Sequence, residues 1–347
     1  MPPSRVHFNG SVNLPNTETV MREISARIPA GVTRMTDGET GERNYWIRFQ
    51  IQKFALMPEF EQVAVVQAYE TSADAPAMVQ FRLADGRSAE TIEWPNLGYA
   101  DAYEESFAIF DKLQSDGTIP AGVRFQADYP TPLASINAYL ENEDQPKLEP
   151  SYERAMFADL DRLLDAVPHD RVAVQWDVAV EFGILESGFG ALGIDDVIER
   201  LARCVDHVPT DVPVGLHLCY GDYKHQHFIE PKSLTLQVDV ANRLTAGAGR
   251  PVDFLAFTVP QYQRDAAYFE PLASLDVSPD TELYFALVPY HPEDQAEGTT
   301  EEQVRLIDAH LGERPWGICT ECGMGRAERD EIPTLLDLHR EIIAAYA

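Results

Sequence analysis

Basic residues are scarce: the 347-residue chain carries 27 Lys+Arg against 57 Asp+Glu, a formal net charge of −30. A surface of that sign repels nucleic acid and anionic membranes, so neither is an expected partner. It also disfavours a polyanionic substrate, unless a local basic pocket overrides the field. Long apolar runs are missing too. No stretch approaches the roughly 18 residues of a membrane span, and the opening MPPSRVHFNG has no basic region followed by an apolar one. No secretory signal is visible, and the expectation is a soluble, cytoplasmic protein. Cysteine is rare, with four residues at 204, 219, 319 and 322. So few, so unevenly placed, exclude a disulfide scaffold and point to metal binding or catalysis. No internal repeat or low-complexity tract is evident, and acidic stretches such as ENEDQ at 141–145 read as solvated loops.

Hydrophobic residues make up 45% of the chain, spread in short blocks. Each block is followed by a polar or Gly/Pro-rich turn and then by a helix-period segment, the rhythm of βα units. Eight such strands are expected, at 6–12, 32–39, 123–130, 172–180, 212–220, 252–259, 282–291 and 316–325. Helical patterns lie between them, among them TETVMREISARI, SYERAMFADLDRLLDAV, IDDVIERLARCVDHV and EEQVRLIDAHL, with TLLDLHREIIAAYA closing the chain. The fold class is therefore α/β, a single (β/α)8 TIM barrel over residues 1–347. Residues 51–120 break the rhythm. Two alternating runs flank Asp85-Gly86 and suggest a hairpin, followed by the helical DAYEESFAIFDKLQSD, so this reads as an insertion after the second strand.

In such a barrel chemistry gathers at the C-terminal ends of the strands. His217 and Cys219 share one face of their strand, since i and i+2 point the same way. Imidazole and thiolate are ligands that zinc prefers. Cys322, at the end of the eighth strand, supplies a second thiol, and three such donors make a catalytic-type zinc site with one open position. Cys319 invites a C-x-x-C reading as a knuckle or redox pair. A knuckle lacks its second half here, and a redox pair belongs at a helix N-terminus, so Cys319 reads as structural. Cys204, within VIERLARCVDHV, reads as a packed helix residue.

The pattern resembles the cobalamin-independent methionine synthase family, whose catalytic barrel carries H-x-C on strand five and D-C-G on strand eight. LHLCYGD and TECGMGR are similar to these. GSVNLP is similar to the family's G-S-F-P, TDGE to its D-G-E, VQWDVAVEFG to Q-I-D-E-P-A, and VPYHP to D-I-H-S-P. The chain is about half the length of a full member, corresponding to the catalytic barrel without the duplicated one. The resemblance implies Zn2+ held by His217, Cys219 and Cys322. It also implies an amino-acid-like substrate held by Ser11, Glu39 and Asp177, with the acids on its ammonium and the hydroxyl on its carboxylate. His291 would donate a proton to the leaving group, and a folate-type alkyl donor would be the second partner. Taken singly, Ser11 also reads as a turn residue, the acids as ion-pair members and His291 as a surface imidazole.

One departure bears on the metal. The family's strand-six glutamate ligand is replaced in FLAFTV by Thr258, leaving the fourth position to water, substrate, or a donor among Asp222, His225 and His227. The expected function is zinc-dependent alkyl transfer to or from a substrate thiol, whose proton a bound zinc would displace well below its usual pKa of about 8.5. Three readings compete with it. One is a metal-free decarboxylase-like enzyme, needing arginines at the mouth, for which Arg34, Arg43 and Arg124 are candidates. Another is a zinc lyase or hydrolase. The last is a binding homologue without chemistry.

Overall fold

The computed structural model describes residues 2–66, 78–188, 192–221, 227 and 229–346. In chain order the elements begin β1 (Arg5–Val6), α1 (Thr17–Arg27), β2 (Arg34–Thr36), α2 (Gln50–Leu56), β3 (Phe60–Val66), β4 (Met78–Leu83) and α3 (Tyr99–Ser115). They continue with β5 (Arg124–Pro130), α4 (Pro132–Tyr139), α5 (Gln145–Ala166), β6 (Val172–Val178), α6 (Val180–Ser187), α7 (Ile194–His207) and β7 (Val214–Leu218). The last are α8 (Thr235–Gly247), β8 (Phe254–Phe257), α9 (Ala266–Phe269), β9 (Glu282–Ala286), α10 (Thr299–Leu311), β10 (Trp316–Cys319) and α11 (Ile332–Ala344). Eight strands form one parallel sheet in the order β1-β10-β9-β8-β7-β6-β5-β2. A single parallel bridge, Val6 with Val32, joins its two ends. All eight expected strands are found, though the first and second are short.

The strands form because both of their faces are buried, the outward one under apolar helix faces and the inward one in a hydrogen-bonded, largely polar interior. In β6 every residue is buried. Trp176 faces outward onto Phe157 of α5, while Gln175 and Asp177 take the opposite, inward direction. Helix α7 shows the complementary logic. Val197, Leu201, Cys204 and Val205 form its buried stripe, confirming Cys204 as a packing residue. Asp195 and Asp196 sit in its first turn and His207 in its last, where they complement the helix dipole. Among the described residues no helix is long and apolar enough to cross a membrane.

The segment between β2 and β5 holds a hairpin and helix α3, but the hairpin is not the expected one. β4 pairs antiparallel with β3, which precedes it. Asp85-Gly86 is a turn leaving the sheet, and the run beyond it becomes a short 3-10 turn at Ala89–Thr91. Ser88 starts that turn by accepting a hydrogen bond from the Glu90 amide at 3.3 Å, so the second alternating run never extends. The hairpin is held on the barrel wall by aromatic contacts: Phe54 meets Phe60 and Phe81, and reaches Tyr139 of α4 and Tyr152 of α5.

Candidate metal and substrate site

The register β5-β6-β7-β8 brings Pro130, Asp177, His217 and Ala256 side by side, near the C-terminal ends of their strands. His217 is thus fixed by sheet pairing, and Cys219 follows it just past the strand end. The Cys219 amide donates to the Val178 carbonyl at 2.9 Å. Cys322 lies three residues beyond β10, on a turn pinned by Tyr290. The Cys322 amide donates to the Tyr290 hydroxyl at 2.9 Å, and that hydroxyl lies 2.5 Å from the Cys322 carbonyl. One nitrogen of His217 and the sulfurs of Cys219 and Cys322 lie within 4.8 Å of one another.

Around a tetrahedral zinc, such atoms stand about 3.5–3.8 Å apart, so a modest inward closing of these side chains would enclose an ion. The donor chemistry fits as well. The Gly221 amide donates to the Cys219 sulfur at 3.2 Å, which fixes that side chain at the strand end. His217 Nδ1 donates to Asp177 Oδ1 at 3.2 Å, while Nε2 lies 3.0 Å from the Glu321 carbonyl, next to Cys322. A ring nitrogen anchored on a carboxylate is the usual support of a metal-bound histidine. Burial alone would lower the His217 pKa. The Asp177 hydrogen bond and the charge of Cys322 outweigh it and raise the ring to about 9. Without metal the ring therefore keeps both protons at neutral pH.

Cys319 is fully buried and stands outside the three-donor group, as expected of a structural residue. Thr258 is buried, with its hydroxyl donating to the Leu218 carbonyl at 2.8 Å. Among the described residues no carboxylate joins the three donors. Glu321 is adjacent in sequence, but its two oxygens take the Gln261 amide at 2.7 Å and His227 Nε2 at 2.5 Å. His227 is also engaged by Glu230 at 3.1 Å, so it serves as a clamp between carboxylates. Asp222 and His225 lie outside the described residues.

The remaining candidates gather from the first two strands. Glu39 has a left-handed backbone (φ 46°), stabilised by Asp37 Oδ1, which accepts the Glu39 amide at 2.8 Å. Its carboxylate lies against Gly10, where a Cβ would stand 3.2 Å from Oε2. Next to it, Ser11 presses on the Cys322 turn so closely that a Cβ on Gly323 would lie 2.4 Å from its hydroxyl. Only glycine allows that approach. Glu39 thus packs on Gly10, and the next residue, Ser11, on the glycine that follows Cys322.

Burial first, and then the charges of Asp177 and Asp128, hold the Glu39 carboxyl well above the ordinary carboxylate range. Asp128 was not singled out from the sequence. It is fully buried and raised for the same reasons, burial and Asp177. The nearby cation, Arg43, is bound to Asp37. An acidic pocket with its own arginine already engaged is suited to a positively charged group.

His291 lies five residues beyond β9, half-buried, with Nδ1 3.7 Å from Glu293. Its neighbour Tyr290 braces the Cys322 turn. Of the three arginines of the metal-free alternative only Arg43 lies at the mouth, where Asp37 takes it. Arg34 and Arg124 pair in register at the opposite, N-terminal ends of β2 and β5, because each opens its strand. Arg34 is bound to Glu282 at 2.7 Å, and Arg124 donates to the Asp170 carbonyl at 3.0 Å.

No family model matches the sequence, and no curated protein matches it. Solved structures do. A B12-independent methionine synthase from Shewanella sp. W3-18-1, in complex with selenomethionine, superposes with a TM-score of 0.62 at 12% identity, covering 99% of this chain and 98% of that one. A vitamin-B12-independent methionine synthase candidate from Listeria monocytogenes superposes at 0.56 and 13% identity, with 99% and 98% covered. At such identities the likeness establishes the shared fold and leaves the activity to be argued from the site.

Proposed function

We propose that this chain is a member of the cobalamin-independent methionine synthase family, acting as a zinc-dependent alkyltransferase on the thiol of an amino-acid-like substrate. The observation that carries the reading is the meeting of an imidazole and two thiols within 4.8 Å, at the same barrel mouth as a buried acidic pocket. His217, Cys219 and Cys322 would hold the metal. Zinc held in this way supplies a Lewis acid that favours the ionised form of a substrate sulfur.

The chain's own residues do the rest. Glu39 and the free oxygen of Asp177 receive the substrate ammonium, whose charge relieves the repulsion between the carboxylates. Ser11, lying between Glu39 and the Cys322 turn, takes the substrate carboxylate and sets its distance from the metal ligands. His291 gives its proton to the departing group of a folate-type alkyl donor. Thr258 has no carboxylate to offer, so a metal held by the three donors would be open to the substrate sulfur.

The test is metal content. Protein purified without chelator is expected to hold about one zinc per chain, and Cys219→Ser and Cys322→Ser each to lose it, since a hydroxyl is a poor ligand for zinc. Cys319→Ser should keep its zinc. Full retention in both site variants, with folded protein, would remove the basis of the reading.

A further inference from the structure

Below the metal ligands, the barrel interior holds polar side chains that the reaction does not use. His7, from β1's exit, and Gln175, on β6, are buried at 1% and 0% exposure. His7 Nε2 lies 2.7 Å from Gln175 Oε1, Gln175 Nε2 lies 3.0 Å from Asp177 Oδ1, and Asp177 Oδ1 accepts His217 Nδ1 at 3.2 Å. Chemistry fixes every direction in this series. The carboxylate can only accept, so the glutamine must turn its NH2 toward Asp177 and its oxygen toward His7. His7 must then carry its proton on Nε2. Burial keeps that ring neutral by pushing its pKa well down, so Nδ1 carries none. Packing of the ring on Phe254 and Tyr284 holds it in place.

We infer that His7 and Gln175 are positioning residues of the metal site, fixing Asp177 so that His217 keeps Nδ1–H on the carboxylate and presents Nε2 toward the cysteines. The inference rests on the zinc reading above and extends it to two residues that touch neither metal nor substrate. Asp177 is the point of convergence. One of its oxygens takes both Gln175 and His217, so the other is left for the substrate ammonium. Without the Gln175 donor, Asp177 is free to rotate. The imidazole then loses its anchor and the ammonium its aligned acceptor together.

The experiment measures zinc affinity by chelator competition, on folded protein, for the wild type and three variants. Gln175→Glu keeps the shape but puts an oxygen where the donor to Asp177 stood, and should weaken zinc roughly 10–100-fold. His7→Phe keeps the ring contacts but frees the glutamine amide, and should weaken it by a smaller factor in the same direction. Val174→Ala, facing outward on the same strand, should lower the melting temperature and leave zinc affinity unchanged. Affinities within twofold of wild type in both His7→Phe and Gln175→Glu would overturn the inference. So would an equal loss in Val174→Ala, which would mark the effect as general loosening. Should Gln175→Glu fail to fold, His7→Phe decides by the same titration. A wild-type chain that takes up no zinc overturns the metal reading, and this inference with it.

Discussion

The two ends of this barrel bury charge in opposite ways. At the N-terminal end, Arg34 lies 2.7 Å from Glu282, which also takes Arg5 at 3.0 Å and the Tyr284 hydroxyl at 2.8 Å. The guanidinium of Arg34 stacks 3.9 Å from the Phe254 ring centroid. At the mouth, Glu39, Asp128 and Asp177 face one another while the local arginine is taken by Asp37. The carboxyl groups register the contrast. Burial works against Glu282, yet Arg34 and the Tyr284 hydroxyl hold it below its ordinary range, whereas burial and like charge push Glu39 above it. One end is finished by folding; on the function proposed above, the other would be finished by a ligand.

Breaking the finished end should cost the most. Arg34→Met removes the cation while keeping an apolar stem against Phe254, and leaves Glu282 with Arg5 and the Tyr284 hydroxyl. A loss of about 3 kcal/mol is expected in urea unfolding, the lower end of the range for a broken buried pair. Zinc uptake should not change. Undiminished stability would show that the cluster at this end is not structural.

The same operation at the mouth should act in reverse. Glu39→Gln removes a repelled acid and is expected to leave stability unchanged or higher at neutral pH. The sign follows from linkage. A carboxyl whose folded pKa is raised opposes folding progressively as pH climbs above the unfolded value of about 4.3. The variant's stability should therefore fall less over that rise than the wild type's. Glu282, with its pKa depressed, contributes stability above the same value that is lost on acidification. Binding of an amino-acid thiol should weaken by about 1–3 kcal/mol in Glu39→Gln, the scale of a charged hydrogen bond. Destabilisation without weaker binding would make Glu39 a structural residue and erase the contrast.

This contrast also marks where the sequence was legible. Eight apolar blocks set off by turns gave all eight strands, because strand faces covered by helices have to be apolar. The meeting of His217, Cys219 and Cys322 was legible because thiols and imidazoles at strand ends are few and the alternation of a strand fixes which of them share a face. Asp85-Gly86 misled because a turn signal reports a local bend and not which strands pair. The true partner of β4 is β3, before it in the chain. Asp128, Gln175, His7 and Tyr290 gave no signal. A glutamine or tyrosine in an apolar strand has no spacing rule, and its role exists only when a distant strand brings it a partner. His291 drew attention by its chemistry, whereas its neighbour Tyr290 braces the Cys322 turn by position.

The smallest effect expected is at Thr258, where the mouth's charge could be changed by one unit. Its side chain lies one step past the Leu218–Phe257 pair, with its hydroxyl on the Leu218 carbonyl at 2.8 Å, and its backbone is gripped by Gln237 on both sides at 2.8 Å. The main chain is thus fixed by contacts that a substitution would leave in place. At a pH where the added carboxyl is protonated, Thr258→Glu would lose only the hydroxyl donor, a cost of about 1 kcal/mol to the metal-free protein in urea unfolding. It would bring a carboxylate toward a site that already holds two thiols. Zinc should then bind more tightly, and the transfer reaction should slow as the open position fills. The wild-type coordination sphere, read by X-ray absorption, should show three protein ligands and one exchangeable one. Should Thr258→Glu leave zinc affinity unchanged, and the spectrum show a fourth protein donor, the open position would be lost. In that case the mouth, like the other end of the barrel, would be completed by folding alone.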